Sequence, residues 1–274
     1  MNTNYESIRG KKVLLFSAGM DSYMINQLEE PDVLLFINNK SVYADIEEKF
    51  LKNLQAQGYY PNLVFLDDFI NMKDIERTDY IIPSRNAYFI LRAAEYGDEI
   101  ILGATIGDRS TDKDLKFAFQ MTDLLNHIYE ASHWVGETGR DINVNFKYKG
   151  YSKSMIIEKL IEKRMNELGV SKEQATKKVV EELSSLTISC YDFQDEAGDE
   201  KKACGVCKPC TRKWLAILGL TGIDTSYLFH TNPREYFTDE VIDQWIAKES
   251  GANNRGIESK EIIDTLTKLK NHEI

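Results

Sequence analysis

The chain lacks long hydrophobic runs, and it is poor in cysteine, proline and histidine. Its 274 residues include 4 Cys, 5 Pro and 4 His. No apolar stretch approaches the roughly 20 residues that a membrane-spanning helix needs, which excludes an integral helical membrane protein. Residues 1–10 are polar and do not resemble the apolar centre of a secretory signal peptide. We therefore expect a cytoplasmic protein without membrane segments.

The chain also has fewer basic than acidic residues. The sequence has 44 acidic and 34 basic residues, which gives a formal net charge of −10 at pH 7. Proteins that bind nucleic acid without sequence preference neutralise phosphates with Lys and Arg, so this balance argues against direct nucleic-acid binding. Hydrophobic residues make up 42% of the chain, which is typical of a globular protein with a substantial core.

Short apolar runs alternate with amphipathic segments over the first 150 residues. The predicted strands are residues 13–16, 33–37, 63–66 and 99–102, with a more exposed strand at 141–148, and the predicted helices are 23–28, 45–57, 86–94 and 114–129. Strands that alternate with helices predict an α/β fold with a mainly parallel sheet. Because ligands of such sheets bind beyond the carboxyl ends of the strands, we expect the chemistry at residues 17–22, 38–40 and 103–114.

The first predicted strand leads directly into a loop of small and hydroxyl residues, Phe16-Ser17-Ala18-Gly19-Met20-Asp21-Ser22. A loop between a strand and a helix directs backbone N–H groups and the positive end of the helix at one spot, which suits a phosphate. The loop has neither the Walker A ending nor the glycine spacing of a dinucleotide turn. It resembles the Ser-Gly-Gly-x-Asp-Ser loop of the ATP pyrophosphatases, with Ala18 in place of the first glycine. A purely structural turn is the alternative.

All four cysteines lie between positions 190 and 210. Cys204, Cys207 and Cys210 follow one another at two-residue separations, and Cys190 lies upstream. Cys-x-x-Cys turns bring two sulfurs close enough to bind one tetrahedral metal, and a fourth thiolate completes its shell. This spacing predicts a structural Zn²⁺. A redox pair and an iron–sulfur cluster on the same four ligands are alternatives.

Together, the early loop and the late cysteines resemble the 7-cyano-7-deazaguanine synthases (QueC), a family of the ATP pyrophosphatase (PP-loop) superfamily. Pro83-Ser84-Arg85-Asn86 is similar to the family's Pro-Gly-Arg-Asn segment, and Gly103, Asp108 and Asp114 fall in register with its Gly…Asp-x-Ser-Gly-Tyr-Pro-Asp stretch. Lys153 resembles a late active-site lysine, and Thr187-Ile188-Ser189-Cys190-Tyr191 resembles a Thr-x-x-Cys-Tyr motif. The resemblance covers roughly residues 12–218.

The resemblance implies a Rossmann-like parallel sheet of the adenine-nucleotide alpha-hydrolase type, a four-cysteine zinc knot and a helical appendage. The implied domains are residues 1–150 (ATP binding), 151–221 (helices and zinc) and 222–274 (C-terminal extension). The implied activity converts 7-carboxy-7-deazaguanine and ammonia to 7-cyano-7-deazaguanine with ATP and Mg²⁺, through adenylated intermediates that release AMP and pyrophosphate. Because members of this family commonly form dimers, the resemblance also implies a homodimer.

The resemblance also implies residue roles. Phe16 to Ser22 would bind ATP, and Cys190, Cys204, Cys207 and Cys210 would bind zinc. The implied catalytic or substrate-binding residues are Arg85, Asn86, Gly103, Asp108, Asp114 and Lys153. The sequence departs from the family at Ala18 and at residues 111–113, which replace Gly-Tyr-Pro. The alternatives are a related ligase that stops at an amide or uses another amine, a tRNA-modifying PP-loop enzyme, and a nucleotide-binding protein without catalysis.

Overall fold

A computed structural model describes residues 7–41, 43–67, 71–78, 81–131, 139–190, 192–195, 201–251 and 254–274. The strands are β1 (Lys12–Leu15), β2 (Val33–Asn38), β3 (Leu63–Asp67), β4 (Glu99–Leu102), β5 (Asn143–Asn145), β6 (Phe193–Asp195) and β7 (Lys201–Ala203). The helices are α1 (Met20–Glu29), α2 (Ala44–Ala56), α3 (Arg85–Ala93), α4 (Leu115–Ile128), α5 (Lys153–Leu168), α6 (Lys172–Ser185), α7 (Lys208–Thr221), α8 (Pro233–Tyr236), α9 (Asp239–Ser250) and α10 (Ile257–Lys270). The chain forms two compact units, one of Met1–Ala104 with Asp108–Lys149 and one of Thr105–Gly107 with Gly150–Ile274.

The first unit is built on a five-stranded sheet in which every pair of neighbours is parallel. The strand order is β3-β2-β1-β4-β5. This confirms the predicted α/β class and the parallel sheet. The chain moves outward from β1 to β3 and then returns to the other side of β1 as β4, so the order reverses between β1 and β4. Ligand crevices of open parallel sheets lie at such a switch point.

Burial on both faces explains the continuous apolar runs of the central strands. Val13 and Leu14 are adjacent in β1 and therefore point to opposite faces, yet both are fully buried. One of these faces shares a hydrophobic core with Ile90 of α3 and with Met121 and Leu125 of α4. A strand covered by helices on both sides has no polar face, and so its sequence does not alternate.

The edge strand β5 is shorter than predicted, with three residues in place of 141–148. Its alternation is nevertheless as expected, because Ile142, Val144 and Phe146 are buried. The N–H groups on its outer edge are used by α4: that of Ile142 donates to Asn126 Oδ1 at 2.7 Å and that of Val144 to Thr122 Oγ1 at 2.9 Å. Side chains of a helix thus occupy the edge where another strand could have added.

The second unit combines helices with the short antiparallel hairpin β6-β7. Helices α5 and α6 begin at side-chain caps: Ser152 accepts from the N–H of Met155, and Ser171 forms a capping box with Gln174. Helices α5 and α6 follow each other through Gly169, which has a φ of 63° and ends α5. Within the described residues, no helix is both long and apolar enough to cross a membrane.

The residues after 222 share one hydrophobic core with the cysteine segment. The buried residues of this core are Cys190, Cys204, Cys210, Trp214, Leu215, Leu218, Phe229, Phe237, Ile242, Ile262, Leu266 and Leu269. Trp214 of α7 stacks on Phe237 with ring centroids 5.7 Å apart, and Phe237 meets Trp245 of α9 edge to face at 5.4 Å. Helices α9 and α10 are therefore integral to the packing around α7.

Candidate functional site

The loop between β1 and α1 is held in shape by its own hydroxyl groups. Ser22 Oγ lies 2.6 Å from the carbonyl oxygen of Ser17 and 3.0 Å from that of Gly19, and it donates to them. The N–H of Gly19 donates to Ser17 Oγ at 3.2 Å. Small hydroxyl residues at these positions therefore close a tight turn without help from distant side chains. The turn is preformed at the carboxyl end of the central strand.

The N-terminus of α1 is open to an acceptor from outside the helix. Gly19 is the N-cap residue and has no side chain to cap the first turn. The N–H of Tyr23 is the first that reaches a helical acceptor, the carbonyl of Gly19 at 3.1 Å. The amides of an uncapped first turn, together with the helix dipole, favour a bound anion. Asp21 lies in that first turn and is partly exposed, so a cation could accompany the anion.

Two residues, Ala18 and Gly103, determine whether the N-terminus of α1 is accessible to a ligand. Ala18 is only 1% exposed, which packs its methyl group into the protein rather than across the mouth of the loop. Gly103 follows β4, and a Cβ added to it would lie 3.7 Å from the backbone nitrogen of Ser22 and 3.9 Å from Asp21 Cβ. The structure thus brings Gly103 beside the first turn of α1, at the switch point of the sheet.

The predicted site residues Arg85 and Asn86 begin α3 at the same edge of the sheet. Arg85 Nη1 donates to the hydroxyl of Tyr43 at 2.9 Å, and Asn86 Nδ2 donates to Asp112 Oδ2 at 2.8 Å. Ser84 precedes them with a φ of 62°, a left-handed conformation that favours glycine. These bonds connect the segments that follow β2, β3 and β4.

Glu47, in the first turn of α2, is a residue that sequence reasoning missed. Burial raises the pKa of its carboxyl group to about 7, and the positive charge of Arg85 partly opposes this rise. In the sequence it is one of two successive glutamates on an amphipathic helix. Nothing local distinguishes it from Glu48, because its environment is created by elements distant in the chain.

The polar residues after β2 mainly hold their own turn. The side chain of Asn38 donates to Asp45 at 3.0 Å and also to Glu48, and its Oδ1 accepts from the N–H of Lys40 at 2.9 Å. Lys40 Nζ lies 2.8 Å from Asp67 Oδ1. Residues 38–40 are thus at the expected edge, with their side chains engaged in protein contacts.

Asp108, Asp114 and Lys153 have identifiable structural contacts. Asp108 Oδ1 lies 3.2 Å from Lys113 Nζ, and Asp114 caps α4 by accepting from the N–H of Phe117 at 2.7 Å. Lys153 is the first residue of α5 in the second unit, where it lines a small cavity with Arg212 and other residues. Their roles toward a substrate stay predictions.

The four cysteines come together in the second unit, as predicted. All four Sγ atoms lie within 4.8 Å of one another, with Cys207 Sγ 3.8 Å from that of Cys190 and 3.4 Å from that of Cys210. A tetrahedral zinc–thiolate centre with bonds of about 2.3 Å separates its sulfurs by about 3.8 Å. These distances are far longer than the S–S bond of about 2.05 Å in a disulfide. The cluster fits a tetrahedral metal ion.

The hairpin and α7 position the four sulfurs. Cys190 precedes β6, Cys204 follows β7, and Cys207 is the N-cap of α7, in which Cys210 lies. Gly205, after Cys204, has a φ of 88°, and a Cβ there would lie 2.0 Å from the carbonyl oxygen of Thr231. Only glycine fits this turn.

Backbone amides point at the sulfurs. The N–H groups of Asp192 and Cys204 donate to Cys190 Sγ at 3.3 and 3.2 Å, and the N–H of Cys207 donates to Cys204 Sγ at 3.2 Å. Hydrogen bonding with Cys207, together with burial, raises the pKa of Cys190 to about 12, and hydrogen bonding with Cys190 and Cys207 raises that of Cys210. Crowded thiols resist ionising side by side, and a divalent cation supplies the charge that lets all of them bind as thiolates.

Comparison with known protein families, with curated proteins and with solved structures finds no match to this chain. The functional inference therefore rests on the geometry of the loop and of the cysteine cluster.

Proposed function

We propose that the protein is an ATP-dependent carbon–nitrogen ligase of the 7-cyano-7-deazaguanine synthase type, built on a PP-loop fold. The observation that carries this proposal is the uncapped first turn of α1, which lies within the Ser17–Ser22 segment at the switch point of a parallel sheet. The sequence of the loop resembles an ATP pyrophosphatase loop, and the loop lies at the switch point, where open parallel sheets commonly bind their ligands. The left-handed φ of Ser84 gives further support, since the similar family segment has glycine there.

The proposed reaction solves the problem that a carboxylate is a poor electrophile. Transfer of AMP from ATP to the carboxylate oxygen of 7-carboxy-7-deazaguanine releases pyrophosphate and creates a good leaving group. Ammonia attacks the activated carbon, AMP leaves, and an amide forms. A second adenylation, on the amide oxygen, then allows loss of that oxygen with AMP to give the nitrile. Two ATP molecules are therefore consumed for each nitrile.

The loop residues would stabilise the charge that grows on the departing pyrophosphate. First-turn amides of α1 and the Ser17 hydroxyl lie where phosphate oxygens would bind, and they are preorganised by the bonds of Ser22. Asp21 would hold the Mg²⁺ that neutralises phosphate charge. Arg85, at the same edge of the sheet, would supply further positive charge to the anionic substrates.

The cysteine cluster would hold a structural Zn²⁺ rather than a catalytic one. Four thiolates complete a tetrahedral shell and leave no position for water or substrate. Three of the four cysteines are less than 9% exposed and belong to the hydrophobic core of their unit. An ion held in this way stabilises the fold of the hairpin and α7.

A second candidate is a related ligase that stops at the amide or joins the deazapurine to another amine. The observation that favours it is the bond between Asn86 and Asp112. Asp112 lies in the three residues that replace the family's Gly-Tyr-Pro, so the altered stretch contacts a predicted substrate-binding residue. We therefore expect this enzyme to use an amine other than ammonia or to stop at the amide.

The test incubates the purified protein with ATP, Mg²⁺, ammonium and 7-carboxy-7-deazaguanine, and it follows the base by mass spectrometry and AMP by chromatography. We expect nitrile and about two AMP per nitrile. Ser22→Ala should abolish AMP formation, whereas Ser184→Ala, which also removes a hydroxyl bonded to a backbone carbonyl, should not. Amide as the final product would favour the second candidate. Absence of AMP formation with all substrates present would overturn both.

A further inference from the structure

Lys213 is a buried cation whose partners are neutral. It lies on α7 three residues after Cys210 and is only 7% exposed. Its Nζ donates to the carbonyl oxygen of Thr187 at 3.0 Å and to Thr187 Oγ1 at 2.7 Å. No ion pair joins it to a carboxylate in the part of the chain that the structure covers. A buried ammonium without a counter-charge is costly, and so its retention needs an explanation.

The metal centre provides the missing negative charge. Four thiolates around a divalent cation carry a net charge of −2, and this charge is buried. Lys213 is one helical turn from Cys210, and residues three apart on a helix are neighbours on its surface. Its acceptor Thr187 lies three residues before Cys190. The Lys213 side chain therefore links α7, which contains Cys210, to the segment that leads to Cys190.

The other cations of α7 are paired with carboxylates or exposed to solvent. Arg212, the neighbour of Lys213, lies 3.1 Å from Glu258 and 3.6 Å from Glu249. Lys208, at the start of α7, is exposed to solvent, where its charge is screened. Among the described residues of α7, Lys213 is therefore the buried positive charge that no carboxylate neutralises.

We propose that Lys213 is the counter-ion of the metal–thiolate centre and strengthens metal binding at the four cysteines. Thr187 positions the ammonium: its hydroxyl donates to the carbonyl of Leu183 at 2.6 Å, which turns a lone pair toward Lys213 Nζ. The positive charge attracts the net negative charge of the metal–thiolate centre and so strengthens metal binding. This role is independent of the proposed ligase reaction, because it concerns the metal centre alone.

The test compares Zn²⁺ affinity and release in Lys213→Met with those in wild type, by competition with a chromophoric chelator. Methionine keeps the length of the side chain and removes its charge. We expect about tenfold weaker binding or more, with faster release. Lys208→Met, on the same helix but exposed, should change either quantity less than about twofold. Co²⁺ substitution, read by its thiolate charge-transfer absorption, checks that all four sulfurs still bind.

A second readout separates a counter-ion from a residue that only fills the core. Removing a buried charge should leave the metal-free protein as stable as before or more stable, while zinc affinity falls. A purely structural lysine would lower both together. Thr187→Val, which removes one acceptor of the ammonium, should weaken zinc binding several-fold and serves if Lys213→Met does not fold. Unchanged zinc affinity in a folded Lys213→Met, or in Thr187→Val if that is the variant used, would overturn the proposal.

Discussion

Replacing Glu47 by glutamine should make the protein more stable at pH 8 and leave its stability unchanged near pH 4. The native carboxyl group has a pKa of about 7, raised from 4.5 by burial, with Arg85 acting in the opposite direction. Between these two values the folded protein binds a proton that the unfolded chain has released. Stability therefore falls as pH rises through this range, and the cost is fully present above pH 7.

The magnitude follows from the difference between the two pKa values. A rise from 4.5 to about 7 corresponds to about 3 kcal/mol for ionising the buried group. Glu47 is partly exposed, so screening by solvent reduces the expected gain to about 1–2 kcal/mol. Glutamine keeps the shape of the side chain and cannot ionise, which makes Glu47→Gln the matched probe.

Urea unfolding at pH 4 and pH 8, followed by circular dichroism, measures the effect, and hydrogen exchange of the α2 amides locates it. The control is Glu173→Gln on α6, since Glu173 is exposed and paired with Lys177 at 2.7 Å. Because both groups are screened by solvent, it should leave the urea midpoint close to that of wild type at either pH. Equal stability of Glu47→Gln and wild type at pH 8 would refute the reasoning, as would a gain of the same size at pH 4.

Two further substitutions test the two units separately. Gly103→Ala places a methyl group 3.7 Å from the backbone nitrogen of Ser22, in ordinary contact with the first turn of α1. The melting temperature should change little, whereas the rate of AMP formation should fall about tenfold, since the loss of one well-placed contact costs about 1.4 kcal/mol. An unchanged rate would place the reaction elsewhere. Arg212→Met removes the cation that lies 3.1 Å from the buried Glu258 and 3.6 Å from Glu249, whereas Glu249 keeps Arg255 at 3.9 Å. Urea unfolding should show a loss of about 3 kcal/mol of stability at pH 7. A loss below about 1 kcal/mol would contradict this expectation.

The sequence alone was sufficient to predict the parallel sheet and the cysteine cluster. Continuous apolar runs predicted the strands of a parallel sheet because both faces of the sheet are covered. The cysteine cluster was predictable from spacing, because Cys-x-x-Cys turns bring sulfurs together by local geometry. These features depend on residues close in the chain.

Only the tertiary structure decided which distant segments meet. Strand order placed Gly103 beside Ser22, and the meeting of α2 with the start of α3 gave Glu47 its charged neighbour Arg85. From the sequence alone, Lys213 could have been a solvent-exposed residue of α7, but the packing of α7 directs its side chain to Thr187. Periodicity reports which face of an element is buried, whereas the partner across that face depends on how the elements pack.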